Sequence, residues 1–376
     1  MTVTIADVAR HAGVSRSTVS YVLSGNRTIS AETTKRVERS IKALGFRPHA
    51  GARSIRTRRT GVIAMALPMV YGPHNQVQMP YVWAALTAAQ DCGLKVLMLT
   101  DDDGEAAIRD TVAGALVDGV MLMEVQRSDP RVPLLNELKC PAVLVGTPDD
   151  PHGLPRADFD FALAARACAE HLREAGHTSV GYLGQAPEAF GRDVAYAIHA
   201  QESVTHALHS RGQRSVWAAC EPAPGGVVRA LDDLLARQPD LTALIVYNER
   251  VLPLVMDRLA GLGARVPADI SVIAICTDDE AERCSPPLTS VSLPAEELAR
   301  AAVRLLARRI EGEELPGATL LAPALKVRAS TGPRRDRAVG PWGAAPDVLP
   351  DVSPRASASR LPPDASSHVP PHDAAG

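Results

Sequence analysis

The chain has 376 residues, 46% of them apolar, enough for two or three domains with a sizeable core. Its formal net charge of -3 is a sum of unlike parts: residues 1–60 hold 12 Lys and Arg against 3 Asp and Glu, which leaves -12 on the remainder. The six cysteines are scattered without zinc or disulfide spacing, the N-terminus has no apolar leader segment, and no stretch approaches the roughly 20 apolar residues of a membrane span. These features set aside a disulfide-stapled, membrane-bound or exported protein and point to a cytoplasmic one, with a small basic module that meets a polyanion.

Residues 1–45 read as three short helices. Thr4 with Asp7 has the spacing of a capping box, and Ile5, Val8, Ala9 and Ala12 then form one apolar stripe. Gly13 stops that helix. Ser15 caps the next, whose Val19, Val22 and Leu23 face inward, and Ser30 caps a third that points Val37, Ile41 and Leu44 to the same core.

From Gly61 onward, apolar runs of five to seven residues alternate with helical stretches: "GVIAMAL", "LKVLMLT", "GVMLMEV", "PAVLVG", "TSVGYLG", "SVWAAC", "TALIVY" and "ISVIAI". Such runs are what parallel strands covered on both faces look like. The alternation predicts an α/β body of doubly wound sheets. Eight strands exceed one ordinary sheet, so two similar subdomains are expected, with a break near residues 155–162. Beyond about residue 331 the Pro-, Ala-, Ser- and Gly-rich sequence cannot bury enough surface to offset its ordering entropy, and a disordered tail over 331–376 is expected.

The stretch "GVSRSTVSYV" carries the chemistry. With Val19, Val22 and Leu23 turned inward, Arg16, Ser17, Ser20 and Tyr21 share the opposite face of the second helix. In a helix-turn-helix this is the face that enters the DNA major groove. Arginine reads guanine edges with a bidentate hydrogen bond, tyrosine and serine contact base edges or a thymine methyl, and the hydroxyls of Ser15, Thr18 and Ser20 donate to phosphates. Lys35, Arg36, Arg39 and Lys42 on the third helix add attraction that is independent of sequence. The competing reading is a solvated helix in a small bundle; the basic charge, the tight helix-Gly-helix spacing and the position ahead of a separate body weigh against it.

The segment "TIADVARHAGVSRSTVSYVLSG" and its continuation through "RPHAGARSIRTRR" closely resemble the N-terminus of LacI-type transcriptional regulators. The resemblance runs on through "VPADISVIAI" and "SPPLTSVSLPAEELARAAVRLL" to about residue 330. It implies a homodimer on near-palindromic double-stranded operator DNA and a body of the type I periplasmic-binding-protein fold. The implied divisions are a DNA-binding domain at 1–46, a hinge at 47–60, and a body at 61–330. Within the body, subdomain 1 spans 61–160 and 290–318, and subdomain 2 spans 161–289 and 319–330.

By the same resemblance the base-reading positions fall on Arg16, Ser17 and Tyr21, and the phosphate contacts on Ser15, Thr18 and Ser20. The hinge helix would enter the minor groove with Ile55 as its apolar wedge, flanked by Arg53 and Ala52; inserting apolar side chains between base steps kinks a duplex. Gly51 departs from the family pattern and costs about 1 kcal/mol in a helix interior. Hinge folding is therefore expected to depend more on DNA and on the dimer partner.

The effector cleft departs most. Where sugar-responsive members carry a strand-end carboxylate, an arginine and an aspartate, this sequence has Gly146, Ala200 and Cys276, while Asn248 is kept with Glu249 beside it in place of Asp. Each sugar hydroxyl buried without its partner costs on the order of 1 to 3 kcal/mol. The effector implied is not a typical monosaccharide, and a cleft that has lost its ligand is the alternative. Glu221 is a candidate new contact. Met69, Tyr71 and Asn75 follow the first strand, at the end where open α/β sheets bind ligands; Gln76 and Gln78 replace a proline and an aromatic of the family.

An enzyme is the first rival class. The chain contains no G-x-x-x-x-G-K-[ST], no G-x-G-x-x-G after a strand, no H-E-x-x-H and no G-x-S-x-G. His206 and His209 lack a metal-spaced partner, so no metal, cofactor or catalytic residue is expected. A solute-binding protein would suit the body alone but has no use for the basic module.

Overall fold

The computed structural model describes residues 3–24, 29–46, 59–68, 75–101 and 104–335. The first unit is the expected trio: α1 (Ile5–Ala12), α2 (Arg16–Ser24) and α3 (Ala31–Leu44). Thr4 and Asp7 form the capping box, and Gly13 ends α1 in the left-handed region at φ 64°, a conformation that glycine adopts without strain. Val8, Ala9, Ala12, Val19, Val37 and Phe46 make the buried core, against which Val22, Leu23, Ile41 and Leu44 pack. His11 Nδ1 and Ser40 Oγ, 3.0 Å apart, tie α1 to α3.

The body holds two six-stranded sheets. The first contains β1 (Val62–Ala66), β2 (Lys95–Leu99), β3 (Gly119–Leu122), β4 (Ala142–Val145), β5 (Arg156–Phe159) and β11 (Ala318–Leu321) in the order β11-β5-β4-β3-β1-β2. The second contains β6 (Ser179–Gly184), β7 (Arg214–Ala219), β8 (Ala243–Val246), β9 (Ser271–Cys276), β10 (Thr289–Ser292) and β12 (Ala324–Lys326) in the order β12-β10-β9-β8-β6-β7. The two orders are the same pattern. Only β12 pairs antiparallel, with β10. Each sheet reverses its winding beside its first strand, between β1 and β3 and between β6 and β8, and ligands bind such sheets at the carboxyl ends there.

All eight apolar runs form strands, and four short strands (β5, β10, β11, β12) join them. Helices cover the first sheet, among them α4 (Asn75–Asp91), α5 (Gly104–Ala113) and α6 (Arg131–Glu137). On the second sheet they are α7 (Phe161–Glu174), α8 (Pro187–Gly191), α9 (Ala195–His209), α10 (Pro224–Arg237), α11 (Leu252–Gly261) and α12 (Asp278–Arg283).

The first crossing between lobes lies at Asp160, which caps α7 by accepting from Leu163 N at 2.8 Å. The later crossings fall slightly beyond the expected ones. β10 belongs to the second sheet, so residues 290–292 stay in lobe 2, and α13 (Ala295–Ile310) then packs with α4 on lobe 1. β11 keeps residues 319–321 in lobe 1. The reason is pairing: β10 lies along β9, and β11 along β5.

Residues 331–335, expected to belong to the disordered tail, are held against the body instead. Thr331 Oγ1 lies 2.8 Å from Thr289 Oγ1, and Arg334 N donates to Ala175 O at 2.7 Å. Backbone and hydroxyl partners hold 331–335 where apolar content would not. Residues 336–376, the hinge positions Gly51, Ala52, Arg53 and Ile55, and the cleft candidates Met69 and Tyr71 lie outside the described residues, as do the side chains of Asn75 and Gln76.

Candidate DNA-reading face and effector cleft

The N-terminus of α2 is built to face an anion. Ser15 Oγ accepts from Thr18 N at 3.0 Å and lies 2.9 Å from Thr18 Oγ1, so the two hydroxyls share one proton and leave one O–H to donate outward. No acidic residue occupies the first turn of α2, and its unpaired N–H groups favour a phosphate there. Val19 is fully buried beneath, whereas Ser15, Arg16, Ser17 and Tyr21 are exposed and Thr18 and Ser20 are half-buried. The structure thus brings Arg16, Ser17 and Tyr21 to one outward face. Lys35, Arg36, Arg39 and Lys42 are exposed on α3.

Where the chain enters the body, Asp118 anchors it. Its carboxylate accepts from Thr60 N at 2.6 Å, Gly61 N at 2.7 Å and Thr60 Oγ1 at 3.0 Å. Arg59 pairs with Glu311 and donates to Ile310 O at 3.1 Å, placing its cation at the carbonyl end of α13.

Between the lobes, at the carboxyl ends of both sheets, lies a cavity of about 110 Å³. From lobe 1 its wall takes Leu67, Gln78, Tyr81, Glu124, Gly146, Asp158 and Phe159; from lobe 2, Phe161, Gln185, Tyr196, Tyr247, Asn248, Glu249 and Arg250. Three of the six tyrosines and two of the four phenylalanines of the chain line it. An aromatic content of only 3% is therefore concentrated at one site.

Of the cleft residues expected from sequence, Gly146, Asn248 and Glu249 meet here. Ala200 and Cys276 do not line the cavity: each is buried in the packing of lobe 2, at 1% and 0% exposure. Glu221 lies on a separate surface groove and pairs with Arg229 at 2.6 Å.

Glu124, Asp158 and the aromatic rings were not among the expected residues. A carboxylate directly after the run "GVMLM" and another inside "RADFDF" are the signal, since strand ends on this side of the sheet face the ligand. The loop carrying Glu124 is fixed by a buried ion pair, in which Arg131 meets Asp129 at 2.7 Å and also donates to Glu124 O at 3.1 Å. Glu124 takes φ 52°, an uncommon left-handed conformation for a side chain of its kind.

The carboxylates differ in company. Glu124 accepts from Gln78 Nε2 at 3.2 Å and stands 3.6 Å from Arg192. Asp158 accepts from Thr147 Oγ1 at 2.7 Å and Phe159 N at 2.8 Å, and burial raises its carboxyl above the usual range. Glu249 accepts from Thr277 N at 2.7 Å; burial, reinforced by the Glu280 charge, pushes it up to about 7. Asn248 is 3% exposed and donates Nδ2 to Cys220 O at 3.0 Å and Gly184 O at 3.4 Å, bracing three strand ends of lobe 2.

Residues 4–49 match the profile of bacterial regulatory proteins of the lacI family, and residues 169–331 that of a periplasmic binding protein-like domain. The HTH-type transcriptional regulator CelR of Thermobifida fusca is 30% identical over 344 residues, 87% of this chain and 98% of CelR. This chain belongs to the LacI family.

As a LacI-family protein it is a DNA-binding transcriptional regulator. Catabolite control protein A of Staphylococcus xylosus is 27% identical over 88% of this chain and 100% of its own. Among solved structures, a CelR–cellobiose complex is 28% identical with TM-score 0.63, covering 87% of this chain and 99% of its own. A lac repressor dimer bound to operator and the anti-inducer ONPF superimposes with TM-score 0.76 over 88% of this chain and 100% of its own, at 22% identity, which speaks to the shared fold. The LacI-family architecture accounts for both the helical N-terminal module and the paired sheets.

Among the described residues no group of His, Cys, Asp and Glu is arranged to hold a metal ion, and no helix is long and apolar enough to cross a membrane. The six cysteines are free thiols.

Proposed function

We propose that this LacI-family regulator is a repressor that binds a near-palindromic operator as a homodimer. In this reading Arg16, Ser17 and Tyr21 contact base edges, Ser15, Thr18 and Ser20 contact phosphates, and Ile55 with Arg53 and Ala52 enters the minor groove between half-sites. The observation that carries it is the exposed Arg16, Ser17 and Tyr21 face lying opposite the buried Val19.

An effector in the inter-lobe cavity modulates that binding, with Gly146, Asn248 and Glu249 among its contacts. Asp158 and Glu124 join them. A ligand-bound cleft is favoured over an inert one by Asp158 and Glu249, because a buried carboxylate costs stability unless a ligand uses it. This reading carries with it a cytoplasmic location, with the DNA.

Selection from random duplexes with the full-length chain tests this reading. An inverted repeat should be enriched, bound with a log-log salt slope of about -0.9 per phosphate neutralised. Recovery of no common site, or binding indifferent to salt, contradicts it.

A further inference from the structure

The wall of the inter-lobe cavity, taken as the effector site proposed above, presents three carboxylates, those of Glu124, Asp158 and Glu249, beside one guanidinium, that of Arg250. Asn248 Nδ2 is engaged by the Cys220 and Gly184 carbonyls. Gln78 turns its Nε2 to Glu124, and its buried Oε1 has no hydrogen-bond partner among the described residues. Asp158 and Glu249 form no ion pair among the described residues, and burial is the largest influence on both carboxyls and raises them, against a lowering at Asp158 by hydrogen bonds and by the charges of His199 and Arg156. Arg250 is the cation of the described wall; it also borders a neighbouring groove with Glu280 and Arg283 and pairs with neither carboxylate among the described residues.

The aromatic rings complete the picture. Phe161 lies 5.1 Å from Phe159 and 5.4 Å from Tyr247, and Tyr247 lies 6.4 Å from Tyr196, so the rings form a continuous bank. Ring faces attract cations within about 6 Å, and aromatic cages are a known device for ammonium groups. Space is the third constraint. A cavity of roughly 150 Å³ holds one benzene, so the 110 Å³ here is smaller than that and does not admit a disaccharide unless the lobes open.

We propose that the effector is a small organic ammonium ion, held by Asp158 and Glu249 and by the ring bank of Phe161, Tyr196 and Tyr247. A neutral sugar fits less well, since it brings no positive charge to the buried Asp158 and Glu249 carboxyls.

The test uses the full-length chain, with operator binding measured on the same preparation so that loss of DNA recognition is seen separately. Melting and calorimetric titration are run with choline, ethanolamine and putrescine chlorides against equal sodium chloride, with 3,3-dimethylbutan-1-ol as the uncharged isostere of choline, and with glucose and cellobiose. At least one ammonium compound should bind, and where choline is that compound its isostere should bind about tenfold or more weakly. Glu249→Gln and Asp158→Asn should each weaken binding by about tenfold. Arg250→Gln should tighten it, a change that misfolding cannot imitate. Binding of glucose or cellobiose without any ammonium compound overturns the proposal, and so does the absence of any shift in a preparation that binds operator.

Discussion

Glu124, at the end of β3 in lobe 1, stands 3.6 Å from the guanidinium of Arg192 in lobe 2, so one carboxylate both lines the cavity and spans the cleft. The contact is reinforced beside it. Arg127 N donates to Asp193 O and Ala195 N to Val125 O, each at 2.9 Å, and Arg127 pairs with Asp193 at 3.1 Å. A ligand that competes for Glu124 therefore acts on the same contacts that hold the lobes together.

Arg192→Ala should change global stability by less than about 1 kcal/mol, because the pair is partly solvated. Amide exchange at residues 125–127 and 193–195 should nevertheless accelerate. Unchanged exchange there would mean that the ion pair does not contribute to closure.

Arg131→Ala should be far more damaging. It leaves the Asp129 carboxylate, which has no exposed side-chain surface, without its cation, and breaking a buried pair from one side typically costs about 3 to 5 kcal/mol. Chemical denaturation of lobe 1 is the measurement, and a loss below about 1 kcal/mol would show that the loop relaxes to admit water.

Glu249 gives the protein a pH dependence of definite sign. Its carboxyl titrates at about 7 in the fold against an ordinary 4.5, because burial disfavours the charged form. The folded chain thus keeps a proton that the unfolded chain has released. The resulting stability is complete below the lower value and is lost as pH rises through the upper one. Denaturation of the wild type and Glu249→Gln at about pH 5 and about pH 8 should show the wild type losing ground to the variant as pH rises. Equal slopes would place the Glu249 carboxyl in solvent.

Much of the fold was legible because long apolar runs signal strands covered on both faces. The four strands that were not read are three or four residues long, and one of them hides its burial behind polar residues. Thr289 and Ser290 in β10 are fully buried, yet their hydroxyls are satisfied by Thr331 and Arg328. Composition cannot reveal that such a segment is interior.

The exposed face of Arg16, Ser17 and Tyr21 was legible from one contiguous stretch, since a single helix carries it. The cleft was not. Gly146, Asn248 and Glu249 stand at recognisable strand ends, but Glu124, Asp158, Tyr196 and Tyr247 come from separate segments that only the facing sheets bring together. Ala200 and Cys276 illustrate the converse: both were expected at the cleft from the resemblance, and both are buried in the packing of lobe 2.

The most direct test of the central claim is to measure binding of the wild type and Arg16→Ala to every single-base variant of the selected operator. Loss of preference at one base pair per half-site, with a cost of about 1 to 3 kcal/mol there and near-equal affinity for the four bases, is the predicted result. A uniform weakening across all variants would make Arg16 a phosphate contact and contradict the base-reading role assigned to this face.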